Sequence, residues 1–196
     1  MAPLDAALAA LRSSFDQVAP LPDDVWADLR DVWRLRPVRA GEVLTRAGDV
    51  ERRFAQVAEG VQRGYFLTPD AAEVTIAFAY PADFTGVPDS FFLQTPSAYT
   101  LEAMTDGAQL ETDHSTFAAL VDRHRALEHW VSRLLALALA GRGKREREML
   151  SLSAEARYAR LVRESPHLLD LVPLRHVASY LGMTPETLSR VRARRS

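Results

Sequence analysis

The chain has 196 residues, of which 47% are hydrophobic and 26% charged, so it can form one or two domains with a buried core. It contains no cysteine, which excludes disulfides, thiolate zinc sites and cysteine-ligated iron–sulfur clusters. The longest wholly apolar run, residues 134–140, is far shorter than the ~20 residues that span a membrane. We therefore expect no membrane partner, and the lack of a signal-peptide pattern at the N-terminus predicts a cytoplasmic location.

The net charge of −2 is distributed unevenly along the chain. Residues 141–196 hold 12 Arg or Lys and 6 Asp or Glu, a net charge of +6, whereas residues 1–140 carry a net charge of −8. A basic segment of this kind is typical of a surface that contacts phosphates.

Apolar residues recur with a helical period at the start of the chain. Leu4, Leu8, Leu11 and Phe15 would share one face of a helix, and a second helix is predicted to follow within residues 3–34.

The period of the apolar residues then changes. Short apolar or alternating runs, separated by turn signals, predict strands at residues 42–45, 55–58, 65–67, 73–78, 99–103 and 108–110. Short strands at such close spacing indicate an antiparallel barrel or sandwich.

A helical period returns after residue 115. An apolar stripe comprising Leu127, Val131, Leu134, Leu135 and Ala138 predicts one helix of about four turns, which two glycines, at 141 and 143, would weaken near its end. A further helix is predicted between residues 153 and 166.

This stripe could simply cover the sheet that precedes it. However, Trp130, Leu137 and Leu139 extend the apolar surface around the helix, and a helix that is apolar around most of its circumference is usually buried on both sides. We therefore expect the helix to pair with a second copy of itself. The candidate dimerisation residues are Leu127, Trp130, Val131, Leu134, Leu137 and Ala138.

The last 23 residues, 174–196, have the pattern of two short helices around a tight turn. Ala178 provides the small residue that two crossing helices need, and Gly182 tolerates positive φ in the turn. Thr184 can cap the second helix, and Pro185 suits its first position. The predicted shared core of this helix-turn-helix comprises Val177, Ala178, Leu181, Gly182, Met183, Leu188 and Val191.

A helical hairpin that merely packs on a domain would show the same apolar spacing, but the basic charge of this end of the chain favours DNA binding. With the core residues facing inward, the helical period turns Glu186, Ser189 and Arg190 outward as candidate base-reading residues. Arg190 can bond bidentately to guanine, and Glu186 can accept a hydrogen bond from cytosine. Candidate contacts to the DNA backbone are Thr184, Thr187, Arg192, Arg194 and Arg195.

The order of these elements, together with the glycine-punctuated stretches Ala40–Asp49 and Phe54–Gly60, resembles the Crp–Fnr family of transcription regulators. The resemblance implies an α+β fold with a cyclic-nucleotide-binding-like jelly roll of antiparallel strands. It places N-terminal helices and the roll at residues 1–113, connecting and dimerisation helices at 114–150, and a helix-turn-helix domain at 151–196. It also implies a homodimer that binds palindromic double-stranded DNA, and contact with RNA polymerase if the protein is an activator. Glu186 and Arg190 fall on base-reading positions of the family, whereas Pro185 replaces a third reader that is normally Arg.

The ligand pocket departs from the family pattern. Family members that bind cyclic AMP use a Gly-Glu pair after a Phe, and an Arg at the next strand that pairs with the cyclic phosphate. Here Phe84 and Gly86 are present, but Val87 stands where the Glu is expected, and Pro96-Ser97 stand where the Arg is expected. We therefore expect no cofactor, and no cyclic nucleotide bound in the usual mode, in the degenerate pocket near Gly86 and Ser97. The roll would be either a scaffold or a sensor of a different effector.

The sequence shows no signature of an enzyme or a metal site. It has five histidines without the spacing of a ligand set, and it lacks a Walker loop, a dinucleotide fingerprint and a Ser/His/Asp arrangement. Two alternatives to DNA binding remain open. One is a roll that senses a ligand or binds a protein, with a helix-turn-helix that no longer contacts DNA. The other is a small-molecule enzyme built on the roll, which would need a cluster of convergent polar groups that the sequence does not show.

Overall fold

A computed structural model describes residues 3–194 as helices that flank a block of short strands. The helices are α1 (Leu4–Val18), α2 (Asp23–Arg30), α3 (Pro88–Leu93), α4 (His114–Arg123), α5 (Arg125–Ser151), α6 (Ala154–Glu164), α7 (Leu168–Leu171), α8 (Leu174–Tyr180) and α9 (Pro185–Ala193). The strands are β1 (Arg34–Val38), β2 (Val43–Thr45), β3 (Arg53–Glu59), β4 (Gln62–Leu67), β5 (Glu73–Ala79), β6 (Phe84–Thr85), β7 (Thr100–Ala103) and β8 (Gly107–Asp113).

The strands form two four-stranded sheets, in the orders β1-β8-β3-β6 and β2-β7-β4-β5. β8 lies between two antiparallel neighbours, so that Leu110 is opposite Leu35 of β1 and Gln56 of β3. This arrangement confirms the expected α+β fold with an antiparallel roll. Three short elements of the roll were not predicted. These are β1, which follows α2 closely, the two-residue strand β6, and α3, which begins with Pro88 inside the strand region.

The chain divides into two compact units. The first unit consists of the residues up to Gly64 together with Phe78–Leu137, and the second consists of Tyr65–Ala77 together with the residues from Ala138 onward. This division falls inside α5, whereas the division drawn from the sequence had its boundaries at residues 113 and 150.

Aromatic side chains fill the core of the first unit. The rings of Phe15 and Trp130 stack with their centroids 4.2 Å apart, and the Trp130 indole N–H donates to the Phe15 carbonyl at 2.8 Å. Phe54 packs against Phe117 in the same core. Leu127 and Trp130 are completely buried here. The expectation that these two residues form a dimer surface is therefore wrong, because their side chains are already covered within their own chain.

The long helix is longer than its sequence predicts. α5 has 27 residues and continues through Gly141 and Gly143, where about four turns were expected. Each glycine in a helix costs about 1 kcal/mol relative to alanine. Beyond both glycines, Arg145 and Met149 contact the helix-turn-helix within the second unit.

Candidate nucleic-acid interface

Two helices and their turn form the candidate interface in the second unit. α8 is followed by a short turn and by α9, and the two helices face each other through apolar side chains. The apolar side chains between the two helices are buried. They are Val177, Ala178, Leu181, Leu188 and Val191. Met183 is half-buried. These residues hold α9 against α8 and leave its other face exposed.

Gly182 occupies the turn between the helices. Its φ is +64°, in the left-handed region that glycine adopts without steric cost. A Cβ at this position would also overlap the methyl group of Met149, which lies on α5. The turn therefore needs glycine for two reasons, one conformational and one steric.

The start of α9 has a complete cap. The Thr184 hydroxyl accepts a hydrogen bond from the Thr187 N–H at 3.2 Å, and Pro185 occupies the first turn. Glu186 follows, where the positive end of the helix dipole favours an anion. Hydrogen bonds from its own backbone N–H and from the Thr184 hydroxyl hold the pKa of Glu186 below its usual value. Glu186 is therefore an ionised acceptor at neutral pH.

The exposed face of α9 brings the three candidate base-reading residues together. Glu186, Ser189 and Arg190 all lie on the solvent side of the helix. Arg190 donates from Nη2 to the Thr187 hydroxyl at 3.1 Å, which links a candidate base reader to a candidate phosphate contact. The Thr184 and Thr187 hydroxyl oxygens lie 3.3 Å apart. The face thus presents one anionic acceptor, one hydroxyl and one ordered guanidinium.

The remaining candidate phosphate contacts lie at the end of α9. Arg192 is exposed, and the exposed Arg194 lies 3.3 Å from the Glu155 carboxylate of α6. Arg195 lies outside the described residues. An exposed ion pair of the Arg194–Glu155 kind contributes little to stability, so it leaves Arg194 able to turn toward a phosphate.

Sequence reasoning missed the side chains that hold the motif in place. Arg145 of α5 and Arg157 of α6 donate to backbone carbonyls at the end of α8. Ser179 of α8 accepts from the Thr75 N–H at 2.9 Å and donates to the Glu73 carbonyl at 3.1 Å, which binds α8 to the edge of β5. The period of apolar residues does not reveal such contacts, because each joins a polar side chain to a distant backbone group.

The pocket of the roll lies in the first unit, beside a buried carboxylate. Glu51 is only 3% exposed, and a Cβ on Gly86 would lie 3.8 Å from its Oε2. One carboxylate oxygen accepts from the Arg53 N–H at 3.0 Å, and the other accepts from the Thr45 hydroxyl. This corner of the roll therefore already contains a buried carboxyl group with its own hydrogen bonds.

The other pocket residues are also engaged by the chain itself. The Ser97 hydroxyl donates to the Tyr99 carbonyl at 2.7 Å and accepts from the Tyr99 N–H at 2.9 Å. Arg63 is buried with its guanidinium 2.7 Å from Glu102. Neither arrangement offers a cation to a cyclic phosphate. The expectation that the pocket near Gly86 and Ser97 binds no cyclic nucleotide in the usual mode stays a prediction.

The exposed side of α5 carries leucines. Leu135 is 38% exposed, Leu137 53% and Leu139 73%, and Ala138 is exposed between them. By contrast, Val131 and Leu134 pack against the core of the first unit. Leu137 and Ala138 thus remain candidates for an interface, and Leu135 and Leu139 add to them.

Residues 3–194 contain neither a metal-binding cluster nor a membrane-spanning helix. No cluster of three or more histidine, aspartate or glutamate side chains in this range could hold a metal ion. Within the same range, no helix has the length and apolar character that a membrane crossing requires.

Comparison with known proteins places this geometry in context. Residues 35–124, which cover the roll and α4, match the family described as cyclic nucleotide-binding domain. The chain is 26% identical over 176 residues to the fumarate and nitrate reduction regulatory protein of Yersinia pestis, and this match covers 82% of this chain and 68% of that protein. It is 27% identical over 166 residues to the nitrogen fixation regulation protein FixK of Rhizobium meliloti, and this match covers 78% of this chain and 71% of that protein.

Solved structures share the fold. FixK2 from Bradyrhizobium japonicum matches with a TM-score of 0.75 at 20% identity, over 83% of this chain and 84% of that chain. The catabolite activator protein of Thermus thermophilus matches with a TM-score of 0.57 at 24% identity, over 89% of this chain and 83% of that chain.

Proposed function

We propose that this chain, which is similar to transcription regulators such as FixK and matches the cyclic nucleotide-binding domain family over residues 35–124, regulates transcription by binding specific DNA sequences through α8 and α9. One observation carries this proposal. The burial of Leu188 and Val191 leaves Glu186, Ser189 and Arg190 together on the exposed face of a capped helix. Such a helix fits the major groove of DNA.

Each exposed side chain has a defined role in this proposal. Arg190 donates two parallel hydrogen bonds to a guanine, and the ionised Glu186 accepts from a cytosine amino group. Ser189 bonds to either kind of base edge. Pro185 has no side-chain donor, so one base position that the family reads with Arg is left without a direct contact. Half-site preference should therefore differ from that of relatives with Arg there.

The backbone contacts orient the helix without reading sequence. Arg192 and Arg194 supply positive charge at the end of α9, Arg195 follows them in the sequence, and Thr184 and Thr187 supply hydroxyls at the start of the helix. In the second unit, therefore, the same helix both positions the protein on the phosphates and reads the bases.

The exposed leucines of α5 support a homodimer. Leu135 and Leu139 are four residues apart and so share a helix face, and Leu137 and Ala138 extend the apolar surface. Exposed leucines in a row are typical of an interface. A two-fold dimer would bind a palindrome whose half-site centres lie about 34 Å apart, one turn of DNA.

The roll is not controlled by cyclic AMP in the usual way in this proposal. A cyclic phosphate beside Gly86 would lie close to the buried Glu51 carboxyl group, which already accepts hydrogen bonds from the Arg53 N–H and the Thr45 hydroxyl. The homologues are regulators, and the protein is proposed to act on DNA without catalysing a reaction.

Selection of DNA by the full-length chain tests the function. A random duplex library is incubated with the protein, and bound molecules are recovered and sequenced. We expect palindromes to be enriched, with a G·C pair selected at one position of each half-site. That selection should be lost in Arg190→Ala. Equal recovery of all sequences at every salt concentration would contradict sequence-specific binding. Addition of cyclic AMP should leave the affinity for the selected duplex unchanged, and a clear increase would contradict the proposal for the roll.

A further inference from the structure

The end of α8 is held by two arginines that come from different helices. The last carbonyls of a helix have no partner within it and must be satisfied from elsewhere. Here the Tyr180 carbonyl accepts from Arg145 Nη2 at 2.7 Å, and the Leu181 carbonyl accepts from Arg157 Nε at 2.8 Å. Arg145 lies on α5 and Arg157 on α6. The turn before α9 is thus tied to two other helices of the second unit.

Arg157 joins the ends of two helices with one guanidinium. Besides Leu181, it donates from Nη1 to the Leu152 carbonyl at 2.6 Å and to the Met149 carbonyl at 3.4 Å, at the C-terminal end of α5. The five N–H groups of arginine form a rigid planar fork, so the bonds fix the relative position of the groups they reach.

Arg145 fixes a distance and an orientation at the same time. Its guanidinium lies over the Tyr180 ring, 4.0 Å from the ring centroid, while it donates to the carbonyl of the same residue. Met149, one turn further along α5, fills the space above Gly182 that a side chain would otherwise occupy. The last turns of α5 therefore contact three consecutive residues of the helix-turn-helix, Tyr180, Leu181 and Gly182, directly or through Arg157.

The same helix carries the surface proposed for the dimer. Leu139 is exposed six residues before Arg145, in the part of α5 that belongs to the second unit. If two copies pair through α5, the orientation of each α9 relative to its own α5 determines how far apart the two reading helices lie. A dimer binds only those half-sites whose separation matches that distance.

We propose that Arg145 and Arg157 are positioning residues that set the half-site spacing this protein accepts on DNA. This inference rests on the proposed function, since it requires a dimer that binds DNA through α9. Neither arginine needs to contact DNA for this role. The contacts act by holding the turn before α9 at one angle to the C-terminal end of α5.

The test compares duplexes that differ only in spacing. The probes are the palindrome selected by the wild-type chain, the same palindrome with one base pair added or removed at its centre, and a duplex with a single half-site. The proteins are full-length wild type, Arg145→Ala, Arg145→Lys and the control Lys144→Ala, which removes the neighbouring exposed charge. Thermal unfolding of each variant is recorded alongside.

Wild type and Lys144→Ala should lose affinity when the spacing is changed. The ratio between the affinities for the original and the altered spacing should be about three-fold to ten-fold smaller in Arg145→Ala than in wild type. This is the range that one charged hydrogen bond with a stacked cation can enforce. The affinity of Arg145→Ala for the single half-site should stay within about two-fold of wild type, because the base-reading face is intact. Arg145→Lys keeps the charge and loses the planar stack, so it should fall between the two. This variant carries the test if Arg145→Ala does not fold.

Two results would overturn the inference. If Arg145→Ala and Arg145→Lys weaken all duplexes by the same factor, Arg145 acts through general affinity or stability and does not set spacing. If both variants bind every duplex with the affinity of wild type, the contacts do not control orientation. Loss of the proposed function would look different, since wild type itself would then show no preference for the selected palindrome over random DNA.

Discussion

Arg190 and Thr187 are joined by a hydrogen bond across one turn of α9, with Nη2 of the arginine 3.1 Å from the threonine oxygen. The sequence suggested separate roles for them, one at a base and one at a phosphate. The bond restricts the rotamers of a long side chain before it meets DNA. Part of the entropy cost of ordering Arg190 on a base edge is therefore met in the free protein.

Replacing Arg190 by alanine should weaken binding to the selected duplex by about 1–3 kcal/mol and relax the preference at one base pair. Thr187→Val, which keeps the shape and removes the hydroxyl, should weaken binding by about two- to five-fold. Fluorescence anisotropy with duplexes substituted at each position in turn measures both effects. An Arg190→Ala protein that keeps full affinity and full selectivity would show that α9 does not read bases through this residue.

Arg194→Ala should behave differently from Arg190→Ala. Because Arg194 is proposed to contact a phosphate, its loss should weaken all sequences alike and reduce the slope of log affinity against log salt by about one. The same anisotropy measurements, repeated at several salt concentrations, give the slope. A change confined to one base position would place Arg194 in the groove instead.

Gly182→Ala should destabilise the helix-turn-helix. The left-handed conformation at φ +64° costs a residue with a Cβ about 1–2 kcal/mol, and the Met149 methyl must also move. Gly143→Ala is the matched control, because Gly143 is inside α5 and a Cβ there would be 3.6 Å from the nearest atom, the Arg147 Nη1. The control should stabilise the protein by about 0.5–1 kcal/mol. Urea unfolding curves for the two variants should therefore shift in opposite directions.

Acid should weaken the roll through Glu42. Arg36 lies 2.6 Å from Glu42 and 3.0 Å from Glu111, and its hydrogen bond holds the pKa of Glu42 below the usual value. A carboxylate whose pKa is lower in the folded state stabilises that state above its unfolded pKa. This contribution is lost as the pH falls through the folded pKa.

The unfolding temperature of Glu42→Gln should accordingly fall less than that of wild type between neutral pH and pH values below the ordinary glutamate pKa. Glu146→Gln, an exposed change on α5, is the control and should follow wild type. Parallel curves for wild type and Glu42→Gln would show that the Arg36 pair does not contribute to acid sensitivity.

The fold was largely predictable because its signals are local. The turn glycines, the change of period after α2 and the cap at Thr184 each depend on residues close together in the chain, and the structure contains the roll and the two short helices that they indicate. The position of Leu188 and Val191 inside the motif followed from helical spacing alone.

What the sequence could not provide depends on contacts between distant residues. Trp130 extends an apolar stripe and so looked like part of an exposed face. Only the fold shows that it stacks on Phe15, more than a hundred positions earlier. Arg145 and Arg157 contact backbone carbonyls, which have no residue-specific signal. The buried Glu51 lies beside Gly86 only because the roll brings β3 and β6 together.

Leu139→Glu should dissociate the proposed dimer. Burial of each Leu139 side chain would stabilise a dimer by about 1.5–3 kcal/mol, and a glutamate in its place would add the cost of a buried charge. The dimer dissociation constant should rise by about 100-fold or more. Leu93→Glu is the matched control, since Leu93 is 70% exposed and Leu139 is 73% exposed, but Leu93 belongs to α3 and not to α5. Sedimentation velocity should show a monomer for Leu139→Glu and an unchanged dimer for the control. Binding to the palindrome should weaken while binding to a single half-site is kept. If both variants sediment like wild type, the exposed face of α5 is not the dimer interface.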